Sequence, residues 1–161
     1  MSPAAEVAAH KQSDREKNLS QYRLHDDGGA KPGDDVAHVQ AYPQAALTEK
    51  QKEIVNCDAT ALAEQIQRGA YTCTEVLTAV VTVAIRANDV TNCLTESCLK
   101  DAFERAAKLD QHFKTTGKVV GPLHGVPVSI KDHIKVKGLG TSAGYTGKQG
   151  SLARTVIYEL D

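Results

Sequence analysis

A lysine and an aspartate stand side by side at the end of a short apolar run, in "GVPVSIKD" (Gly125 to Asp132). Each residue type can do proton chemistry, but under opposite conditions. A free lysine has a pKa of about 10.4, so about one molecule in a few thousand is neutral at pH 7. To act as a base, Lys131 needs desolvation or a neighbouring positive charge. A buried strand end could supply the desolvation. Asp132 works the other way if it reaches the amine, because an opposite charge holds the proton on. Side chains alternate along a strand, so Asp132 can instead turn away and bind backbone groups of the following turn. The same residue types also suit a lysine whose stem covers apolar surface and whose head pairs with a carboxylate.

Other constellations fall short of a site. The six histidines, His10, His25, His38, His112, His124 and His133, include no i,i+4 pair, so no helical metal ligation is indicated. His124 lies in the tight turn "PLHGVP" and reads as a packing or hydrogen-bonding residue. Cys57, Cys73, Cys93 and Cys98 lack the two-residue gap of a zinc ribbon and read as free thiols in a reducing compartment. "GTSAGYTGKQG" fails as a phosphate loop: Gln149 follows Gly147-Lys148, and Ser142 stands where the first glycine belongs. No cofactor or metal is expected. Charges balance at −1, and Phe, Tyr and Trp number two, five and none. Neither nucleic acid nor an anionic membrane is then an expected partner. "VLTAVVTVAI" is about half the length of a bilayer span. The N-terminus has no apolar signal core, so a soluble cytoplasmic protein is expected.

The elements that must position Lys131 are mostly helical. Residues 1–46 contain "DDGGAKPGDD" and little apolar periodicity, and are expected to form a disordered tail. From Leu47 the pattern changes. Thr48 with Gln51, and Thr72 with Glu75, have capping-box spacing. Gly69 is placed to end the helix that contains Leu62 and Ile66. "YTCTEVLTAVVTVAIRAND" is rich in β-branched residues, yet its length and cap favour helix over strand. A further helix over "NCLTESCLKDAFERAAKLDQHF" carries Leu99, Phe103, Ala106, Leu109 and Phe113 on one face, with Asp101, Glu104 and Asp110 read as solvated. Val126–Ile130 is the one clear strand, followed by a glycine-rich loop and then "SLARTVIYEL", a helix start. One strand cannot form a sheet. Its partners are expected in a second copy, giving a homo-oligomer through the exposed strand, or in chain beyond Asp161.

"GPLHGVPVSIKD" followed by "VKGLGTSAGY", with "VTNCLTESCLKDAFERAAKLD" before it, resembles the first signature block of the amidase signature family, nearest its fungal acetamidase branch. The likeness runs from about Leu47 to Glu159. It implies an α/β fold of which this chain is the N-terminal, incomplete portion over 47–161: a helical layer and the first strand of a mixed central sheet. It implies hydrolysis of a small-molecule amide by a Ser–cis-Ser–Lys triad through an acyl-enzyme. Lys131 matches the family's catalytic lysine. The two serines belong to a Gly/Ser-rich segment not found in these residues, so neither Ser142 nor Ser151 takes their roles, and His133 stands where the family often has another polar residue. The alternative is a non-catalytic remnant or truncated product acting as a protein-interaction piece. The 161-residue chain alone is expected not to hydrolyse acetamide or longer amides in an ammonia-release assay; turnover abolished by Lys131→Ala would contradict this.

Overall fold

The computed structural model describes residues 3–23, 39–136 and 138–144. Five α-helices follow in order: α1 Pro3–Ser20, α2 Glu49–Asn56, α3 Ala59–Gln67, α4 Cys73–Thr91 and α5 Leu99–Thr116, with a 3-10 turn at Val39–Gln44 before α2. The described chain gathers into two compact units. One draws on Met1–Gln21, Leu94–Cys98 and Val128–Asp161, the other on Tyr22–Cys93 and Leu99–Pro127.

In the larger unit α4 is central and packs against α5, the 3-10 turn and α2. Both expected capping boxes form. Thr48 accepts from the Gln51 N–H and Thr72 from the Glu75 N–H, while the Gln51 and Glu75 side chains return to the cap backbones. Asp58 caps α3 through the Ala61 N–H, and Gly69, at φ +72°, ends it in the left-handed region. The β-branched segment is helical, and its threonines are satisfied locally. Thr78, Thr82 and Thr91 donate their hydroxyls to the carbonyls of Thr74, Thr78 and Ala87, at 2.7, 2.8 and 2.7 Å. Val76, Leu77, Ala79, Val81 and Ile85 of α4 are buried. Arg86 is buried as well, lying 4.0 Å from the centroid of the Tyr42 ring and donating Nε to the Tyr42 carbonyl. This cation–π contact fastens the 3-10 turn to α4.

Asp110 corrects the reading of the outer face of α5. Its carboxylate is half-buried and accepts from the Cys73 N–H at 2.6 Å, the Thr74 N–H at 3.1 Å and the Thr74 hydroxyl at 2.6 Å. Every N–H of the first turn of α4 is thereby satisfied: Asp110 takes the first two, Thr72 Oγ1 the third, and the Thr72 carbonyl the fourth. Burial alone would raise the Asp110 carboxyl, but these donors outweigh it and hold it below the ordinary aspartate value.

Three expectations change. The leader read as disordered contains α1, held within its own unit by Lys11 to Glu96, Arg15 to the Leu94 carbonyl, Asn18 to the Ser97 carbonyl, and the fully buried Leu19. Its alanines and long charged residues are good helix formers that lack a wide apolar stripe. The "DDGGAKPGDD" segment lies outside the described residues. α5 begins at Leu99 instead of near Asn92, because Asn92 adopts a left-handed conformation (φ 51°) and closes α4. Finally, Val126–Ile130 is not a strand, and no strand forms among the described residues. The mixed sheet of the expected α/β fold is therefore not formed there, since a strand without ladder partners has nothing to pair with. Val128 and Ile130 are 58% and 46% exposed. "SLARTVIYEL" lies outside the described residues.

Replacing Asp110 by alanine should lower the unfolding free energy in urea by about 2–3 kcal/mol, and replacing it by asparagine by less, since the amide oxygen still accepts. Because folding lowers the Asp110 pKa, its contribution is present above pH 3.8 and lost as pH falls below it. An alanine variant as stable as the parent would show that the cap is not structural.

Candidate functional site

The candidate site is built from two loop segments of the smaller unit. Lys131 begins a turn closed by the Ile134 N–H on the Lys131 carbonyl at 2.9 Å. Its side chain is exposed and makes no hydrogen bond or ion pair with a described residue. Asp132 does not join it. One carboxylate oxygen accepts from the Ser142 hydroxyl at 2.6 Å and the other from the Ser142 N–H at 3.2 Å. The Ser142 oxygen in turn accepts from the Gly144 N–H at 3.2 Å. These bonds, led by the Ser142 hydroxyl, lower the Asp132 pKa, so the group is a carboxylate across the neutral range. The expectation that Asp132 could bind backbone groups instead of the amine holds, but the partner lies ten residues on, in the glycine-rich loop.

A second carboxylate holds the same loop. Glu96 accepts from the Gly140 N–H at 3.0 Å and from Lys11 Nζ at 2.8 Å. A Cβ at 140 would start 2.7 Å from Glu96 Oε1, the mobile end of that side chain, which would have to give way. Lys11, Arg15, Glu96, Asp132 and Ser142 line an open cavity of about 180 Å³. Glu96 escapes a sequence reading because nothing local marks a carboxylate whose partners lie 44 and 85 residues away.

In the larger unit the "GPLHG" turn is anchored from below. The His124 N–H donates to the Gly121 carbonyl and the Val126 N–H to the Leu123 carbonyl. His124 is buried, as its position in a tight turn suggested, and its Nδ1 accepts from the Val120 N–H at 3.2 Å. The ring proton therefore sits on Nε2, which has no hydrogen-bond partner among the described residues. Its ring centroid is 6.2 Å from that of Phe113 and 6.5 Å from that of His112. Gly125, at φ +75°, lies so close to Cys73 that a Cβ would start 2.4 Å from Sγ. Cys73 is no nucleophile: burial first, then its hydrogen bond with Asp110 and that carboxylate's charge, push its thiol up to about 12. His133 is exposed, and Ser151 lies outside the described residues.

The Amidase family model matches residues 75–156, which include most of α4, all of α5, the His124 turn and the Lys131–Asp132 segment. The chain belongs to the amidase family. Over 142 residues it is 37% identical to a Curvularia clavata protein named as an amidase, covering 86% of this chain and 26% of that one. It is 37% identical over 99 residues to an acetamidase of Emericella nidulans, covering 62% of this chain and 18% of the relative. Among solved structures, a fatty acid amide hydrolase superposes with a TM-score of 0.75 at 29% identity, over 92% of this chain and 28% of that one. The amidase chain thus spans about a quarter of the first relative's length. No described helix is long and apolar enough to cross a membrane.

Burial, and then the charge of His112, lower the His124 pKa from its ordinary 6.5, with Arg105 acting in the same sense and Asp110 opposing. The folded state thus binds this proton less readily than the unfolded chain. Stability should be full above pH 6.5 and fall as pH drops from there toward the folded pKa. Denaturant melts at pH 7.5 and 5.0 should show this loss, and His124→Gln should reduce it. A pH-independent midpoint in the parent would contradict the assignment.

Proposed function

We propose that these residues are the lysine-bearing part of a hydrolase of carboxylic amides, with Lys131 as its general base. The carrying observation is the state of Asp132. Both carboxylate oxygens are engaged by Ser142, so the acid next to Lys131 is occupied elsewhere. A lysine relieved of its nearest counter-ion is the kind that burial can render neutral.

In the proposed reaction the neutral amine takes a proton from a bridging serine, which takes one from a nucleophilic serine. That serine attacks the amide carbonyl, ammonia or an amine leaves with the proton, and water releases the acid from the acyl-enzyme. Both serines are supplied by a Gly/Ser-rich segment outside these residues, and we assign neither role to Ser142. A serine hydroxyl is a poor nucleophile until a neighbour removes its proton. Bringing a lysine pKa down by about three units takes about 4 kcal/mol of differential interaction. Burial supplies it only when the exposed Val128 and Ile130 and the amine beside them are covered. We read Val126–Ile130 as the segment that takes up strand pairing in the mixed sheet under that cover; in the 161 residues alone the exposed Val128 and Ile130 suit pairing between copies. Short aliphatic amides are the proposed substrates, on the likeness to acetamidases. The exposed Lys131 of the chain by itself favours the second reading, a non-catalytic interaction piece, for this length of polypeptide only.

The test is a chimera in which the matched segment of the Emericella nidulans acetamidase is replaced by that of this chain. The chimera should hydrolyse acetamide, and Lys131→Ala should lower kcat by about 10²–10⁴-fold. A folded chimera whose Lys131→Ala variant keeps the parent's rate would overturn the assignment.

A further inference from the structure

We infer that Asp132 is a positioning residue for Lys131, one that clamps the glycine-rich loop to the lysine-bearing turn through Ser142 and so holds its own carboxylate away from the lysine amine. This rests on the reading of Lys131 as the base.

The geometry is that of a closed clamp. Asp132 Oδ2 takes the Ser142 hydroxyl and Oδ1 takes the Ser142 N–H. A carboxylate accepting charge-assisted bonds on both oxygens has little reason to leave them for a solvated ammonium. On the far side of Ser142, the Gly144 N–H donates to the same hydroxyl. Ser142 Oγ thus donates to the clamp and receives from the loop, which fixes its proton on the Asp132 side. The loop is tied a second time, by Glu96 at Gly140. Glu96 also accepts from Lys11, so the two carboxylates of this cluster are both occupied and neither pairs with Lys131. At the other end, the Ile134 N–H on the Lys131 carbonyl sets the direction in which the chain leaves Lys131.

The clamp answers a chemical conflict written into the adjacent residues. An anion one position from a base lysine is within reach of its amine, and an opposite charge within about 4–6 Å favours the protonated form. The conflict disappears if the anion has a better partner. Ser142 is that partner, which gives the serine of the Thr141-Ser142-Ala143-Gly144 loop a role other than nucleophile.

The test titrates Lys131 in the intact 161-residue chain by NMR of its side-chain carbon and nitrogen. Ser142→Ala frees one carboxylate oxygen, and the Lys131 pKa should rise by about half a unit. Ser142→Thr, which keeps the hydroxyl, should titrate as the parent does. Adding Asp132→Asn to Ser142→Ala should abolish the rise, because no charge remains to reach the amine. Hydrogen exchange of the Ser142 and Gly144 amides should quicken at least tenfold in Asp132→Ala. A Lys131 titration in Ser142→Ala that overlays the parent, or a rise that persists in the double variant, overturns the clamp. Neither result depends on turnover, so this inference can fail while Lys131 remains the base of the chimera. Equally, a chimera indifferent to Lys131 would remove the catalytic reading and leave the titration standing.

Discussion

The first turn of α4 carries backbone N–H groups that no helical carbonyl can reach, and the Asp110 carboxylate of α5 takes two of them. This one contact joins the two longest helices of its unit at the end where the next segment docks. Cys73, the first residue of α4, gives its N–H to Asp110 and presents its sulfur to Gly125. Two residues past Gly125 comes Pro127, and four further on stands Lys131. If the N-terminus of α4 shifted, the Gly125 turn would lose the surface it rests on. The buried thiol, the glycine without a Cβ and the interhelical carboxylate are parts of a single packing problem, solved by close approach.

The two units use the same device at different places. Each contains carboxylates that accept from main-chain N–H groups distant in sequence: Asp110 at Cys73 and Thr74, Asp132 at Ser142, Glu96 at Gly140. Such bonds are charge-assisted and directional, and they order loops that have little apolar surface to bury. They also decide which ionised groups are left for chemistry. Asp132 is occupied and Cys73 is held as a thiol, whereas Lys131 has no partner among the described residues.

Local rules were legible in the sequence, and contacts made across it were not. The Thr48 and Thr72 capping boxes and the Gly69 terminator are short local patterns, and the structure has all three. His124 was placed by its turn. The role of Asp110 is not legible because i,i+3 and i,i+4 spacing sees only its own helix, and its partners belong to another, 36 and 37 residues away. α1 is not legible because it relies on helix-forming residues and polar anchors, with Leu19 the one fully buried apolar side chain among its described residues, so no stripe announces it. Val126–Ile130 has the composition of a strand, but composition supplies no ladder; pairing is a property of the neighbour. Asp132 shows the limit most plainly. Adjacency to Lys131 suggested a conflict of charges, and only the fold brings Ser142 to resolve it.

The most direct measurement is the titration of Lys131 in the active chimera, by competitive trace acylation of its amine across pH. If Lys131 acts as the base, its amine should be acylated at a lower pH than a free lysine amine is. A Lys131 acylated only at the pH of a free lysine amine in a turning-over enzyme would contradict the proposed role as the base.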